Sequence, residues 1–262
     1  DRGNTARSRN ARFAAIRSFF RYLEYKVPAC LEQALAVRSL PMKKTDKALI
    51  DYLTRDEMNA LLAAPDCTTV AGLRDRAMLH LTYAAGLRVS ELLALQMGDF
   101  SDRSLSTVRV LGKGRRERVL PLWKETQTVL RTWIAVRPSV QVQELFVNRE
   151  GRPLSRDGFA HRLAVHVAAA ARKKPTLAEK RVTPHVLRHS CAMHTLEATG
   201  DIRKVSLWLG HASLQSTEAY LRVDPAEKLA ILAANAAPAV PKGRFRTPDR
   251  LLAMLAEIQK TR

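Results

Sequence analysis

Residues 106–122, STVRVLGKGRRERVLPL, break the helical rhythm of the chain. Ser106–Leu111 and Glu117–Leu122 read as two strands around Gly112-Lys113-Gly114-Arg115, a hairpin with a glycine on either side of a lysine. Glu144–Val147 is expected to add a third short strand. The sequence reads as helical on both sides. Upstream, Thr54 and Glu57 have capping-box spacing ahead of Met58, Leu61 and Leu62. A second helix runs from about Gly72 to Ala85, with Gly86 suited to its C′ position. Ser90 is expected to cap a third helix carrying Leu92, Leu93 and Leu95.

Downstream, helices are expected near Trp123–Val136 and Ser155–Ala171, followed by a basic connection, Arg172–Arg181. Thr183-Pro184 supplies an N-cap and an N1 proline for a helix ending at Gly200. Asp201 starts a helix that stops at Gly210, and Ser213 starts another through Tyr220. Asp224-Pro225 opens an alanine-rich helix, Pro238–Gly243 breaks it as a tether, and Thr247-Pro248 caps a last short helix. Leu251, Leu252, Leu255 and Ile258 lie on one side of that helix. The fold class is therefore mainly α with a small antiparallel β-sheet.

The front of the chain is helical and basic. Phe13, Ile16, Phe19, Phe20 and Leu23 recur at helical spacing, with Arg12, Arg17 and Arg21 on other faces. Residues 1–50 hold 11 Lys+Arg against 4 Asp+Glu. One or two such helices cannot bury themselves alone, so residues 1–46 are expected to be the tail end of a small helical domain plus a linker, PMKKTDK at 41–47. The chain opens at Asp1 rather than Met, which fits a fragment of a longer protein. Residues 47–237 then form the main domain and 238–262 a linker and C-terminal helix.

Over 262 residues the formal net charge is +19, with 46% apolar residues, enough for a core. Such surplus charge calls for a polyanion, and nucleic acid is the default partner against the bland alternative of a merely basic soluble protein. No run approaches the roughly 18 apolar residues of a membrane span, and no signal-peptide pattern opens the chain. Cys30, Cys67 and Cys191 are too widely spaced for a disulfide framework or zinc ribbon, which suits a reducing, cytoplasmic setting.

Singly, the polar signals are weak. Arg88 follows a helix-ending glycine, Lys113 occupies a loop tip, and Tyr220 reads as a half-buried packing residue. His185 and His189 have the i, i+4 spacing of a metal pair, but no third ligand or acidic partner stands nearby, and no metal is expected. Their order is more telling. Ala84-Ala85-Gly86-Leu87-Arg88-Val89-Ser90-Glu91-Leu92 comes first, then Leu111-Gly112-Lys113-Gly114-Arg115. Pro184-His185-Val186-Leu187-Arg188-His189, Leu209-Gly210-His211-Ala212-Ser213 and Tyr220 follow. As an ordered set these motifs resemble the tyrosine recombinase (phage integrase) family, especially its Xer-like and transposon-associated integrases. The likeness covers roughly Leu53 to Val223, and more loosely Thr5 to Tyr25.

The resemblance implies a tyrosine recombinase catalytic domain over 47–237 and, at 1–46, a remnant of the helical core-binding (SAM-like) domain that clamps DNA. It also implies roles. Arg88 and Arg188 match the two arginines that clamp the non-bridging oxygens of a DNA phosphodiester, a task suited to planar, permanently charged guanidinium groups. Glu91 matches the acidic residue that steadies the first arginine, although it reads equally as a helix N-terminal charge. Tyr220 matches the nucleophile that forms a 3′-phosphotyrosyl link. A phenol with a pKa of about 10 needs a proton acceptor or a strongly positive site, and His185 matches the acceptor. His211 matches the phosphate-bonding histidine, and Lys113 the general acid for the 5′ oxygen. His189 reads as a structural hydrogen-bonder and Cys191 as core packing.

The implied function is site-specific cleavage and rejoining of double-stranded DNA by a homo-tetramer on paired sites, in the cytoplasm at the nucleoid. No cofactor is expected, because a phosphotyrosyl bond conserves the energy of the broken ester, and no GxxxxGK[ST] loop occurs. Arg12, Arg17, Arg115, Arg116, Arg118, Lys173 and Lys174 are expected to contact the DNA backbone. Two other readings remain open: topoisomerase IB-like relaxation, and a truncated DNA-binding remnant without activity.

Overall fold

The computed structural model describes residues 3–45, 50–100, 104–112, 117–210, 217 and 220. It opens with α1 (Ala6–Lys26) and α2 (Leu31–Ser39), packed as a helical hairpin. Thr5 caps α1, accepting a hydrogen bond from the Ser8 amide at 3.2 Å. Arg9 and Arg17 lie over the Phe13 ring, 5.6 and 5.8 Å from its centre. The expected apolar stripe is only partly covered: Phe13 is buried, but Ile16 and Phe19 are 48% and 56% exposed.

The larger body contains α3 (Arg55–Leu62), α4 (Val70–Ala84), α5 (Val89–Ala94), β1 (Thr107–Leu111), β2 (Glu117–Pro121), α6 (Lys124–Val136), α7 (Arg156–Ala171), α8 (Pro184–Thr199) and α9 (Ile202–Leu209). The strands pair antiparallel, Thr107 opposite Pro121 and Leu111 opposite Glu117. The fold is mainly helical with a two-stranded sheet, as the alternation at 106–122 indicates. Among the described residues no helix is long and apolar enough to cross a membrane.

Helix α4 lies at the centre, against α6 and α8. Its Met78 and Leu81 are fully buried with Leu53, Leu61, Leu130 and Leu187, and the core continues through Phe146 and Phe159. At about 25 cal/mol per Å², each such aliphatic side chain contributes on the order of 2 kcal/mol. A buried carboxylate fixes the geometry of the centre. Asp75, 1% exposed, accepts from Arg74 at 2.8 Å and from Arg162 at 2.6 Å, and lies 2.8 Å from His166 Nε2. This ties α4 to α7.

Two local expectations are corrected. Glu144–Val147 is no strand. It makes only isolated bridges, Gln96 with Glu144 and Val147 with Pro153. The Glu144 and Leu145 carbonyls that a ladder would use accept instead from Arg137, and Leu145 also from Trp133 Nε1 at 3.1 Å. Ser90 is not the cap of α5. Arg88 occupies that position, and its amide donates to the Glu91 carboxylate at 2.9 Å, so the helix starts two residues earlier than a serine cap requires. The helices expected from Ser213, Asp224-Pro225 and Thr247-Pro248, and the Pro238–Gly243 tether, lie outside the described residues, save Thr217 and Tyr220 themselves.

The Thr54–Glu57 capping box is present and does more than start α3. Glu57 accepts from the Thr54 amide at 2.8 Å, from Thr176 at 2.7 Å and from Lys180 at 2.6 Å, fastening the basic connection 172–181 to the core. Burial pushes its carboxyl up, but these donors outweigh it and hold the pKa down to about 2. A depressed carboxylate adds stability that is fully present above its unfolded pKa and is lost as pH falls through the folded value. Glu57→Gln is therefore expected to cost about 1–3 kcal/mol at pH 7 in urea denaturation. That gap from wild type should close as pH falls from about 4.5 toward 2. A pH-independent gap would contradict the assignment.

Candidate active site

The site is built around one carboxylate. Glu91, on the first turn of α5, is 6% exposed and receives three arginines. Arg88 Nη1 donates to Oε1 at 2.7 Å, and Arg118 Nη2, from β2, donates to Oε2 at 2.8 Å. Arg188 Nη1, from α8, stands 3.8 Å from Oε2. Burial pushes the Glu91 carboxyl up, but the Arg118 and Arg88 hydrogen bonds prevail and hold it below the usual carboxylate range. Three guanidinium groups on one carboxylate leave a surplus of positive charge. Such a surplus, partly shielded from water, favours an anion.

Arg188 is fixed from two further sides. Its Nη1 donates to the Gly86 carbonyl, and its Nη2 donates to the Leu209 carbonyl at 2.8 Å. Both acceptors lie where a helix ends in a left-handed glycine: Gly86, φ +56°, after α4, and Gly210, φ +64°, after α9. A Cβ on Gly86 would stand 2.5 Å from Leu209 Cδ2, so glycine is required there for conformation and for closeness. Trp208 Nε1 donates to the Ala84 carbonyl at 3.1 Å and locks the two helix ends together. Burial, with the positive charge of Arg88 adding to it, lowers the Arg188 pKa to about 10, which still leaves the group cationic at neutral pH.

Tyr220 lies beside this cluster, 2% exposed, packed with Cys191, Val205 and Leu209. Its hydroxyl oxygen is 2.9 Å from His189 Nδ1, and the two ring centres are 5.7 Å apart. Burial pushes the Tyr220 hydroxyl up to about 12, against the downward pull of Arg188 and Arg88. Burial pushes His189 down to about 4, aided by His185 and Arg188, so its imidazole is neutral. The exposed His185 has its ring centre 6.5 Å from that of His189. Both histidines line a shallow cleft of about 290 Å³ with Asp51, Arg181 and Thr183. Among the described residues no three His, Cys, Asp or Glu side chains converge as metal ligands.

The structure thus brings Arg88, Glu91, Arg188 and Tyr220 together, with His185 nearby. Lys113, Arg115, Arg116 and His211 lie outside the described residues. Arg118, expected to contact a DNA backbone, is placed otherwise: its side chain is 10% exposed and both terminal nitrogens face Glu91. The reason is the strand's alternation, which turns residue 118 inward opposite Val110, whereas Glu117 and Val119 face out. Arg12 is exposed, and Lys173 likewise, while Lys174 Nζ stands 3.3 Å from Asp56 at the surface. Two residues gain importance over the sequence reading, Arg118 and His189. For Arg118, the strand period could have shown it.

If the cluster is held as described, Glu91→Gln leaves three buried or half-buried guanidinium groups without a counter-charge at nearly unchanged shape. The expected loss is about 3–5 kcal/mol in chemical denaturation. A loss below about 1 kcal/mol would mean the cluster behaves like a screened surface pair.

Comparison with known proteins identifies the family of the chain. The pattern of the phage integrase family matches residues 51–227, more than half of the chain. A protein of Sinorhizobium fredii named as an integrase/recombinase, y4rC, is 41% identical over 97% of this chain and 76% of its own length. The tyrosine recombinase XerD of Listeria monocytogenes is 36% identical over 84% of this chain and 73% of its own length. In fold, the chain is similar to the XerH site-specific recombinase, whose crystal structure holds its difH substrate. The TM-score is 0.65 at 23% identity, covering 87% of this chain and 65% of that one. With its arginine–glutamate cluster set beside a buried tyrosine, the chain belongs to the phage integrase family of tyrosine recombinases.

Proposed function

We propose that this chain cleaves and rejoins double-stranded DNA at specific sites through a 3′-phosphotyrosyl intermediate on Tyr220. The observation that carries the reading is a buried tyrosine next to a surplus of guanidinium charge. The Tyr220 oxygen attacks the phosphorus, a new O–P bond forms, and the bond to the 5′ oxygen breaks. Negative charge grows on the non-bridging oxygens, where Arg88 and Arg188 donate hydrogen bonds. Glu91 keeps both guanidinium groups oriented. His185 takes the tyrosine proton, Lys113 protonates the leaving 5′ oxygen, and His211 bonds the phosphate. The bound strand end then attacks in reverse, so neither a nucleotide nor a metal enters the balance.

Within this reading, residues 47–237 are the catalytic domain and 238–262 a linker and helix. Residues 1–46 contribute the basic helix of a DNA clamp, with Arg12 and Arg17 on phosphates and Lys173, Lys174, Arg115 and Arg116 adding contacts. Strand exchange needs two paired sites, which fits a homo-tetramer on DNA acting at the nucleoid in the cytoplasm. The match with XerD over most of both chains and the DNA-bound state of XerH support this reading.

A nicked suicide duplex tests it. Wild type should accumulate a covalent protein–DNA adduct, and Tyr220→Phe should bind equally but form none; an adduct at wild-type yield in that variant would remove Tyr220 as nucleophile. Arg88→Ala should slow adduct formation by about a hundredfold or more. A second prediction isolates Lys113. Lys113→Ala should be slow on the natural ester and recover when sulfur replaces the leaving 5′ oxygen, since a thiolate departs without a proton. Failure of that rescue with binding intact would contradict the general-acid role.

A further inference from the structure

The hydroxyl of Tyr220 is not simply enclosed by apolar side chains. It meets His189 Nδ1 at 2.9 Å, one helical residue beyond Arg188. His189 is held on α8 by that helix's packing against α4 and α9, so its ring is carried by the same rigid element that carries Arg188. We propose that His189 is a positioning residue for Tyr220, fixing the hydroxyl beside the arginine cluster in the substrate-free chain. This rests on Tyr220 being the nucleophile and concerns how that site is prepared.

Geometry gives the reason. A tyrosine side chain turns about two bonds, and a buried phenol without a hydrogen-bond partner carries a desolvation penalty that drives it to find one. A partner on α8 selects the orientation that leaves the oxygen next to the guanidinium groups. The groups facing His189 are Arg188 and His185 from α8 and Asp51 from the segment before α3; the two former disfavour an imidazolium and Asp51 favours one. With a neutral imidazole and a phenol that retains its proton, a single hydrogen bond joins the two, from Tyr220 O–H to Nδ1 or, in the other tautomer, from Nδ1–H to the Tyr220 oxygen, and either one fixes the hydroxyl at the same place. Burial favours the neutral form of both partners. His189 therefore acts on the hydroxyl by orienting it.

The test compares His189→Ala with His189→Asn, whose side-chain amide can hydrogen-bond the Tyr220 hydroxyl in place of Nδ1 but takes no proton. Single-turnover cleavage of the suicide duplex at saturating protein should fall about tenfold to a hundredfold in the alanine variant. Most of the rate should return with asparagine, with DNA affinity unchanged in both. In DNA-free protein carrying ring-labelled tyrosine, the Tyr220 Cζ resonance (assigned with Tyr220→Phe) should move in the alanine variant and return toward wild type with asparagine. An alanine variant that cleaves at the wild-type rate overturns the proposal, as does an asparagine variant no better than alanine, or a resonance that stays put. If wild type itself forms no adduct, the proposed function fails. The resonance then still decides whether His189 holds Tyr220.

Discussion

Everything at the site depends on the buried carboxylate of Glu91. Guanidinium groups repel one another. Two of them in a low-dielectric cleft drift apart or draw in water unless a counter-charge holds them. Glu91 draws arginines from three separate elements, the loop before α5, strand β2 and helix α8. It also starts α5 through the Arg88 amide, so one side chain sets both a helix start and a charge cluster. With one negative charge against three positive ones, the cluster is held without being neutralised.

The fold supplies the remaining geometry by ending helices at the right places. Gly86 and Gly210 turn the chain so that the carbonyls of Gly86 and Leu209 meet Arg188. A second carboxylate cluster, Asp75 with Arg74, Arg162 and His166, fixes α4 against α7. Buried ion pairs of this kind are a weak source of net stability and a strong source of geometric definition when every member is paired. The central helix α4 thus carries an ionic tie along its length, at Asp75, and at its C-terminal end the glycine turn that receives Arg188.

Much of this was legible in the residues. The period-two alternation at 106–122 marked the hairpin, the Thr54–Glu57 spacing marked the start of α3, and Gly86, Gly200 and Gly210 marked helix ends because left-handed backbone favours glycine. Arg88, Glu91, Arg188 and Tyr220 could be picked out by their order and type. Pairings across long separations were not legible. Asp75 meets His166 from 91 positions away, and His189 meets Tyr220 from 31. Nothing local marks such partners, since a histidine one residue past an arginine reads the same whether it packs or hydrogen-bonds a distant tyrosine. The strand expected at 144–147 failed for a related reason, as side chains of Arg137 and Trp133 took its carbonyls. Charge alone did not show the partner of Arg118. Its place in the strand period turns it inward, to Glu91.

The most direct measurement is a crystal structure of the chain trapped on nicked DNA. The account predicts phosphorus bonded to the Tyr220 oxygen, with Arg88 and Arg188 donating to the non-bridging oxygens while Glu91 still accepts from Arg88 and Arg118. A phosphate linked to another residue, or seated away from an undisturbed arginine cluster, would contradict it.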